Sequence, residues 1–229
     1  MAPGRTPARV RRALALAFAG AMLAIAPPAA RAGAQQYEVL SASVRATLAR
    51  AVNERSSVDM KDLDTRAWVR AMTRRVAGRF ADEDEARHFL ALARYESMRA
   101  GLDPHLVLAV IDVESRFRKY AVSKAGARGF MQVMPFWVKE LGEPGHNLFN
   151  ERMNLRYGCT ILRHYVDRER GHLSNALARY NGSLGQPEYP NRVMKAYRER
   201  WALGAQALSE DRARVASSSS FPSTRPTRS

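Results

Sequence analysis

Leu106, Val110, Val113 and Phe117 recur at steps of four, three and four along the chain. They trace one face of a helix of roughly 3.6 residues per turn, which predicts a buried helix over 104–117. Asp103 is a good N-cap for it, and Pro104 suits the first helical position. A preceding helix shows Ala86, Phe89, Leu90 and Ala93 on one face; acids at 82–85 sit where the dipole favours them, and Gly101 stops it. The acidic run therefore reads as a helix start and not as a metal site. Weaker helical patterns cover 40–52 and 65–76, separated by polar residues 53–62. Downstream, 121–134 is a loop of small residues with room for short strands, entering a helix near Pro135. After a Gly- and Pro-containing loop over 140–150, Asn150 caps a helix reaching about Arg168, in which Gly158 permits close approach of a neighbour. Leu173, Ala176, Leu177 and Tyr180 align on a shorter helix ended by Asn181-Gly182, and Val193, Tyr197 and Trp201 share a face of the last helix, which follows Tyr189-Pro190. Neither an internal repeat nor a long alternating strand pattern is present, so the fold class is mainly α.

The two ends read differently. Residues 1–12 carry four arginines and no acid, residues 13–26 are apolar, and small residues at A-x-A spacing follow up to Ala34. This predicts a secretory signal peptide, cleaved after Ala32 or Ala34, and no stable membrane insertion; without a cysteine there, lipoprotein processing has no acceptor. Arg11-Arg12 adds only a weak twin-arginine hint. Loss of residues 1–32 removes five arginines and lowers the formal charge from +15 to +10. An exported basic protein meets the cell envelope first, so peptidoglycan and its stem-peptide carboxylates are the favoured polyanion. Nucleic acid is not expected as a partner, because neither a zinc-ligand pattern nor basic residues interleaved with aromatics is present. The single cysteine, Cys159, excludes an intrachain disulfide and lies on an apolar stripe with Leu155, Leu162 and Val166, as a structural thiol does. Residues 217–229, rich in Ser, Thr, Pro and Arg, predict a disordered tail.

Candidate chemistry centres on Glu114. On the predicted helix its neighbours are Val107, Val110 and Ile111. That apolar margin raises a carboxyl pKa and keeps a proton available near neutrality, as a general acid requires. Glu96-Ser97 repeats the dipeptide but precedes a glycine turn and has no small-residue groove after it. Glycoside cleavage commonly uses two carboxylates. Asp112, two positions away, points about 200° from Glu114 on one helix and cannot flank the same bond, while Glu140, Glu143 and Glu151 could approach only through the tertiary fold.

Several separated blocks carry a resemblance: Glu114-Ser115-x-Phe117; Ala121-Val122-Ser123-x-Ala125-Gly126-Ala127-x-Gly129-Phe130-Met131-Gln132-x-Met134-Pro135; Asn154-Leu155-x-x-Gly158; and Arg179-Tyr180-Asn181-Gly182. Over residues 91–201 the chain closely resembles the soluble lytic transglycosylase (SLT) catalytic domain of bacteria. The resemblance implies a lysozyme-like fold of the goose-type lysozyme and SLT kind. It implies cleavage of the β-1,4 bond between N-acetylmuramic acid and N-acetylglucosamine with formation of 1,6-anhydromuramic acid, without metal or organic cofactor. Glu114 matches the sole acid/base and Tyr180 the tyrosine that orients it; Ser123, Gln132 and Met134 match glycan contacts, and Asn181 is carried over as a motif residue. Phe130 stands where leucine is usual and Tyr120 where proline is common.

The chain then divides into a signal peptide (1–32), an N-terminal helical extension (33–88), the SLT lysozyme-like catalytic domain (89–203) and a disordered tail (204–229). The expected protein is a periplasmic monomer acting on peptidoglycan strands, with room in its extra helices for docking to envelope secretion or division machinery. Two alternatives stay open. One is a lysozyme-type hydrolase on the same fold; the other is a non-catalytic glycan-binding adaptor of the envelope.

Overall fold

The helix that carries Glu114 is built as its sequence dictates. In the computed structural model, which describes residues 35–54 and 62–218, Asp103 accepts the His105 N–H and opens α4 (Pro104–Glu114) with Pro104 in its first turn. Residues 1–34, on which the expected signal peptide falls, the segment 55–61 and residues 219–229 lie outside the described residues. Before α4 come α1 (Ala42–Asn53), α2 (Leu63–Thr73) and α3 (Glu83–Arg99); after it come α5 (Phe136–Leu141), α6 (Glu151–Arg168), α7 (Leu173–Asn181), α8 (Glu188–Ala196) and α9 (Ala205–Ser218). A π-helical turn, Tyr197–Trp201, continues α8. No strand occurs among the described residues. The loop after α4 makes only isolated bridges, Val122 with Arg128 and Arg128 with Val133.

α4 is central: Val107 to Ile111 have no exposed surface, and α3, α8 and the π turn pack around it. α6 packs on α3, α7 and α1. A single apolar cluster runs from Leu40 and Trp68 through Phe89 and Val110 to Trp201, so α1 and α2 share the core of the helices that follow. Residue 88 lies inside α3, whose N-cap is Asp82, so a division between 88 and 89 would cut a continuous helix.

Two expectations need correction. The helix predicted to reach Phe117 stops at Glu114, because Arg116 and Phe117 both adopt positive φ (54° and 63°). This left-handed pair is costly for residues with a Cβ. It turns the Phe117 ring into a cluster with Phe89, Trp201 and the Arg79 guanidinium, at 6.0, 5.2 and 5.1 Å. The proposed tail also begins too early. Residues 205–218 form α9, which packs on α2 and buries Asp211 against Arg74 at 2.6 Å. Phe130, at the position where leucine is usual, is explained by its partners: its ring is 4.3 Å from Phe89 and stacks on Phe80.

The remaining expectations about Asp112, Glu96 and Cys159 agree with the packing. Asp112 is held by Arg79 at 2.8 Å, Arg200 at 3.0 Å and the Trp201 indole N–H at 3.1 Å, tying α4 to the π turn. Glu96 is fully buried between Arg99 and Arg156, each at 2.8 Å, and bridges α3 to α6. Both carboxylates are thus committed to ion pairs that would leave an uncompensated buried charge if broken. Burial pushes the Cys159 thiol up to about 12, which keeps it protonated and inert.

Candidate active site

Glu114 is the last residue of α4 and half-buried. Loss of solvent pushes its carboxyl from the ordinary 4.5 up to about 7. Its place at a helix C-terminus acts in the same direction, because the dipole there disfavours negative charge. Three groups oppose the shift without cancelling it. The Tyr189 hydroxyl donates to Glu114 Oε1 at 2.7 Å, the Asn181 side-chain amide donates toward the carboxyl, and the Arg192 cation lies near enough to favour the anion. Among the described residues no other carboxylate is among the groups that act on it. Glu140 is paired with Arg45 at 3.4 Å and Glu151 with Lys119 at 2.9 Å.

The tyrosine on Glu114 is therefore Tyr189, not Tyr180. Tyr180, fully buried on α7, donates its hydroxyl to the Met131 carbonyl at 2.7 Å. Burial pushes that hydroxyl well above its ordinary range, with the nearby Glu114 charge adding to the effect. Tyr189 lies in the first turn of α8, and α8 packs directly on α4. A hydroxyl projecting from that turn meets the last turn of α4, whereas α7 packs on α6 and α8 and directs Tyr180 to the Met131 carbonyl in the loop between α4 and α5. Asn181, the last residue of α7, reaches the carboxyl because Gly182 closes the helix in the left-handed region (φ 73°).

The loop between α4 and α5 carries the other expected contacts. Ser123 is half-buried and its Oγ accepts the Ala127 N–H at 3.1 Å, which closes the turn through Gly126. Gln132 is buried with φ 48°, and its side-chain amide donates to the carbonyls of Gly129 at 2.9 Å and Ala121 at 3.2 Å. It pins the loop to itself. Met134 is half-buried, and its N–H donates to Gln35 Oε1 at 3.1 Å. Tyr120 is 72% exposed beside Phe149, with ring centroids 5.9 Å apart.

Asn154 of α6 anchors this loop. Its Oδ1 accepts the Met131 N–H, and its Nδ2 donates to the Arg128 and Leu148 carbonyls, all at 2.8 Å. The glycines of the motif are required by that approach. A Cβ on Gly129 (φ 73°) would stand 2.6 Å from the Leu148 carbonyl oxygen, and one on Gly158 would collide with the Met131 side chain.

Neither Tyr189 nor Gln35 was assigned a role from sequence. The signal for the first was Tyr189-Pro190 at a helix start after Gly185; for Gln35, which precedes the first periodic segment, no pattern was available. Among the described residues no group of three or more His, Cys, Asp or Glu is placed to hold a metal ion, and no helix is long and apolar enough to cross a membrane.

Comparison with known proteins bears on this geometry. A family model described as "Transglycosylase SLT domain" matches residues 85–201. The transglycosylase of Enterobacteria phage PRD1 is 36% identical over 106 residues, which cover 43% of this chain and 39% of that protein. Membrane-bound lytic murein transglycosylase C of Glaesserella parasuis serovar 5 is 42% identical over 89 residues, 35% of this chain and 24% of the relative. The protein of that name in Photorhabdus laumondii is 32% identical over 119 residues, 45% of this chain and 33% of the relative. The matched segments thus span at most 39% of the length of these three relatives.

Proposed function

The chain belongs to the transglycosylase SLT domain family, and from that premise we propose that it is a peptidoglycan lytic transglycosylase with Glu114 as its only acid/base. The observation that carries the reading is a carboxyl at the end of α4 held by the Tyr189 hydroxyl at 2.7 Å, pushed up to about 7 by loss of solvent and without a carboxylate partner among the described residues. Such a group can do both halves of the reaction. Protonated, it gives its proton to the oxygen of the β-1,4 bond between N-acetylmuramic acid and N-acetylglucosamine, and that bond breaks. The carboxylate left behind takes the proton of the C6 hydroxyl on the same muramyl residue, whose oxygen closes onto C1 as a 1,6-anhydro ring. Atoms balance without water, and Glu114 returns to its acid form. The substrate's own N-acetyl oxygen takes the place of a second carboxylate in stabilising the cation at C1.

Tyr189 and Asn181 are assigned to orienting Glu114, and Ser123, Gln132 and Met134 to the loop that lines the glycan groove. The Tyr180 hydroxyl supports that loop through Met131. Export to the periplasm, and a monomer working on peptidoglycan strands, complete the reading; docking to an envelope secretion or division apparatus would use surfaces outside the groove.

Because the acid form starts the cycle, kcat/KM should fall as pH rises through about 7. Tyr189→Phe removes a hydrogen bond that favours the ionised carboxylate. Its pH–rate profile should show the alkaline limb displaced upward, with maximal kcat reduced by about tenfold. A limb that stays in place or moves down would show that Tyr189 does not govern the acid.

Purified sacculi test the reaction class. The expected soluble products are muropeptides ending in anhydromuramic acid, lighter by one water than hydrolysis products. Reducing-end muramic acid as the main product would establish the hydrolase. Binding to sacculi without release of fragments, equal in wild type and Glu114→Gln, would establish the adaptor.

A further inference from the structure

We propose that residues 35–38, upstream of the family-matched segment, form a strap that positions the groove loop and the end of α7 against Glu114; this rests on Glu114 being the acid. Four consecutive residues reach four different elements. Gln35 is 4% exposed, and its Oε1 accepts the Met134 N–H at 3.1 Å. Its amide also bears on the Tyr180 hydroxyl, although Nε2 completes no hydrogen bond of good geometry among the described residues. Tyr180 in turn holds the Met131 carbonyl, so the 131–134 segment is held at one end by Tyr180 and at the other by Gln35. Gln36 Nε2 donates to the Gly182 carbonyl at 3.2 Å, immediately after Asn181. Tyr37 packs edge-on against Phe136 of α5 at 5.5 Å and donates to Glu140 at 3.2 Å. Glu38 pairs with Arg179 of α7 at 3.3 Å and with Arg168 of α6. Leu40, 8% exposed, anchors the following residue run in the core.

The buried end of this strap decides its role. A segment packed only for stability has no need of a buried polar side chain inside the loop that carries Met131, Gln132 and Met134. Gln35 supplies the acceptor that the Met134 N–H would otherwise lack, and Gln36 fixes the carbonyl next to the residue whose amide reaches Glu114. Residues 35–38 are positioning residues. None of them is assigned to substrate contact.

The test is Gln35→Met in the full chain, which keeps length and volume while removing the acceptor. On a soluble tetrasaccharide of alternating N-acetylglucosamine and N-acetylmuramic acid, assayed well below the melting temperature, kcat should fall about tenfold with KM changed less than about threefold, the pattern of a misplaced reacting group. Amide exchange at Met134 should accelerate about tenfold or more, while the amides of α4 keep their rates. Gln36→Ala, at an exposed position, covers the case in which Gln35→Met fails to fold; it should lower kcat about threefold or more. Unchanged kcat in a folded variant overturns the strap, as does a loss of kcat that disappears on cooling in step with recovered stability. If the wild type does not cleave the tetrasaccharide, the functional reading falls by itself. The strap is then judged on exchange alone, where an unchanged Met134 rate in Gln35→Met overturns it and a tenfold acceleration supports it.

Discussion

Glu114→Gln is expected to lower the release of soluble muropeptides from sacculi by about a thousandfold or more, because general acid–base catalysis contributes roughly 10² to 10⁴ and here one group supplies both halves. Glutamine keeps the shape and can still accept the Tyr189 hydroxyl, but it has no proton to give. The same variant has a stability signature that loss of folding could not imitate. The carboxyl rises from 4.5 to about 7 on folding, so the native chain holds its proton over a pH range in which the unfolded chain has lost it. The contribution of this group to stability therefore falls as pH climbs from 4.5 to 7 and is level outside that window. The full penalty is about 3 kcal/mol above neutrality by the usual conversion of pKa into free energy. Glu114→Gln should match wild-type stability near pH 4 and exceed it at pH 8, read from denaturant midpoints at the two pH values. Equal stability at both would mean that burial does not perturb the group.

The second large effect is expected at Asn154, which three hydrogen bonds tie to the loops before α5 and α6. Asn154→Ala leaves the Met131 N–H and the Arg128 and Leu148 carbonyls without their partner at a site that is 1% exposed. Each orphaned buried group costs about 1 to 3 kcal/mol, so a total near 4 kcal/mol is expected. Asn150→Ala is the control on the same helix. It removes one exposed N-cap hydrogen bond, from the Met153 N–H at 3.1 Å, and should cost about 1 kcal/mol. Thermal or urea unfolding of the pair checks the order. Comparable losses at 150 and 154 would deny Asn154 its anchoring role.

Where sequence reading succeeded, the determinant was local. Asp103-Pro104 names the start of α4, the acids from Asp82 mark the start of α3, Asn150 caps α6 and Gly182 ends α7, each through backbone chemistry legible within a few residues. The two-residue offset between Asp112 and Glu114 likewise told that the two carboxylates diverge, and Asp112 is indeed spent on Arg79, Arg200 and Trp201. Where it failed, the answer depended on which helix lies against which. Tyr180 and Tyr189 are both buried tyrosines near the acid, and only the packing of α8 on α4 decides that the second one holds it. Phe117 fits the α4 periodicity, yet its ring finds better partners once two residues turn left-handed. The segment 205–218 has helix-forming residues whose pattern was overshadowed by the Ser, Pro and Arg content that follows, and it is Asp211 against Arg74 that ties it to α2. Gln35 had no local signal, because its acceptor role exists only when residue 134 is beside it.

One carboxyl has to be protonated when the reaction starts and ionised when the ring closes. Carboxyl ¹³C chemical shifts of glutamate-labelled protein, assigned through Glu114→Gln, give its titration directly. The midpoint should fall at about 7, and it should move upward in Tyr189→Phe. A midpoint in the ordinary glutamate range near 4.5 would leave Glu114 without a proton to donate at neutral pH and would contradict the mechanism.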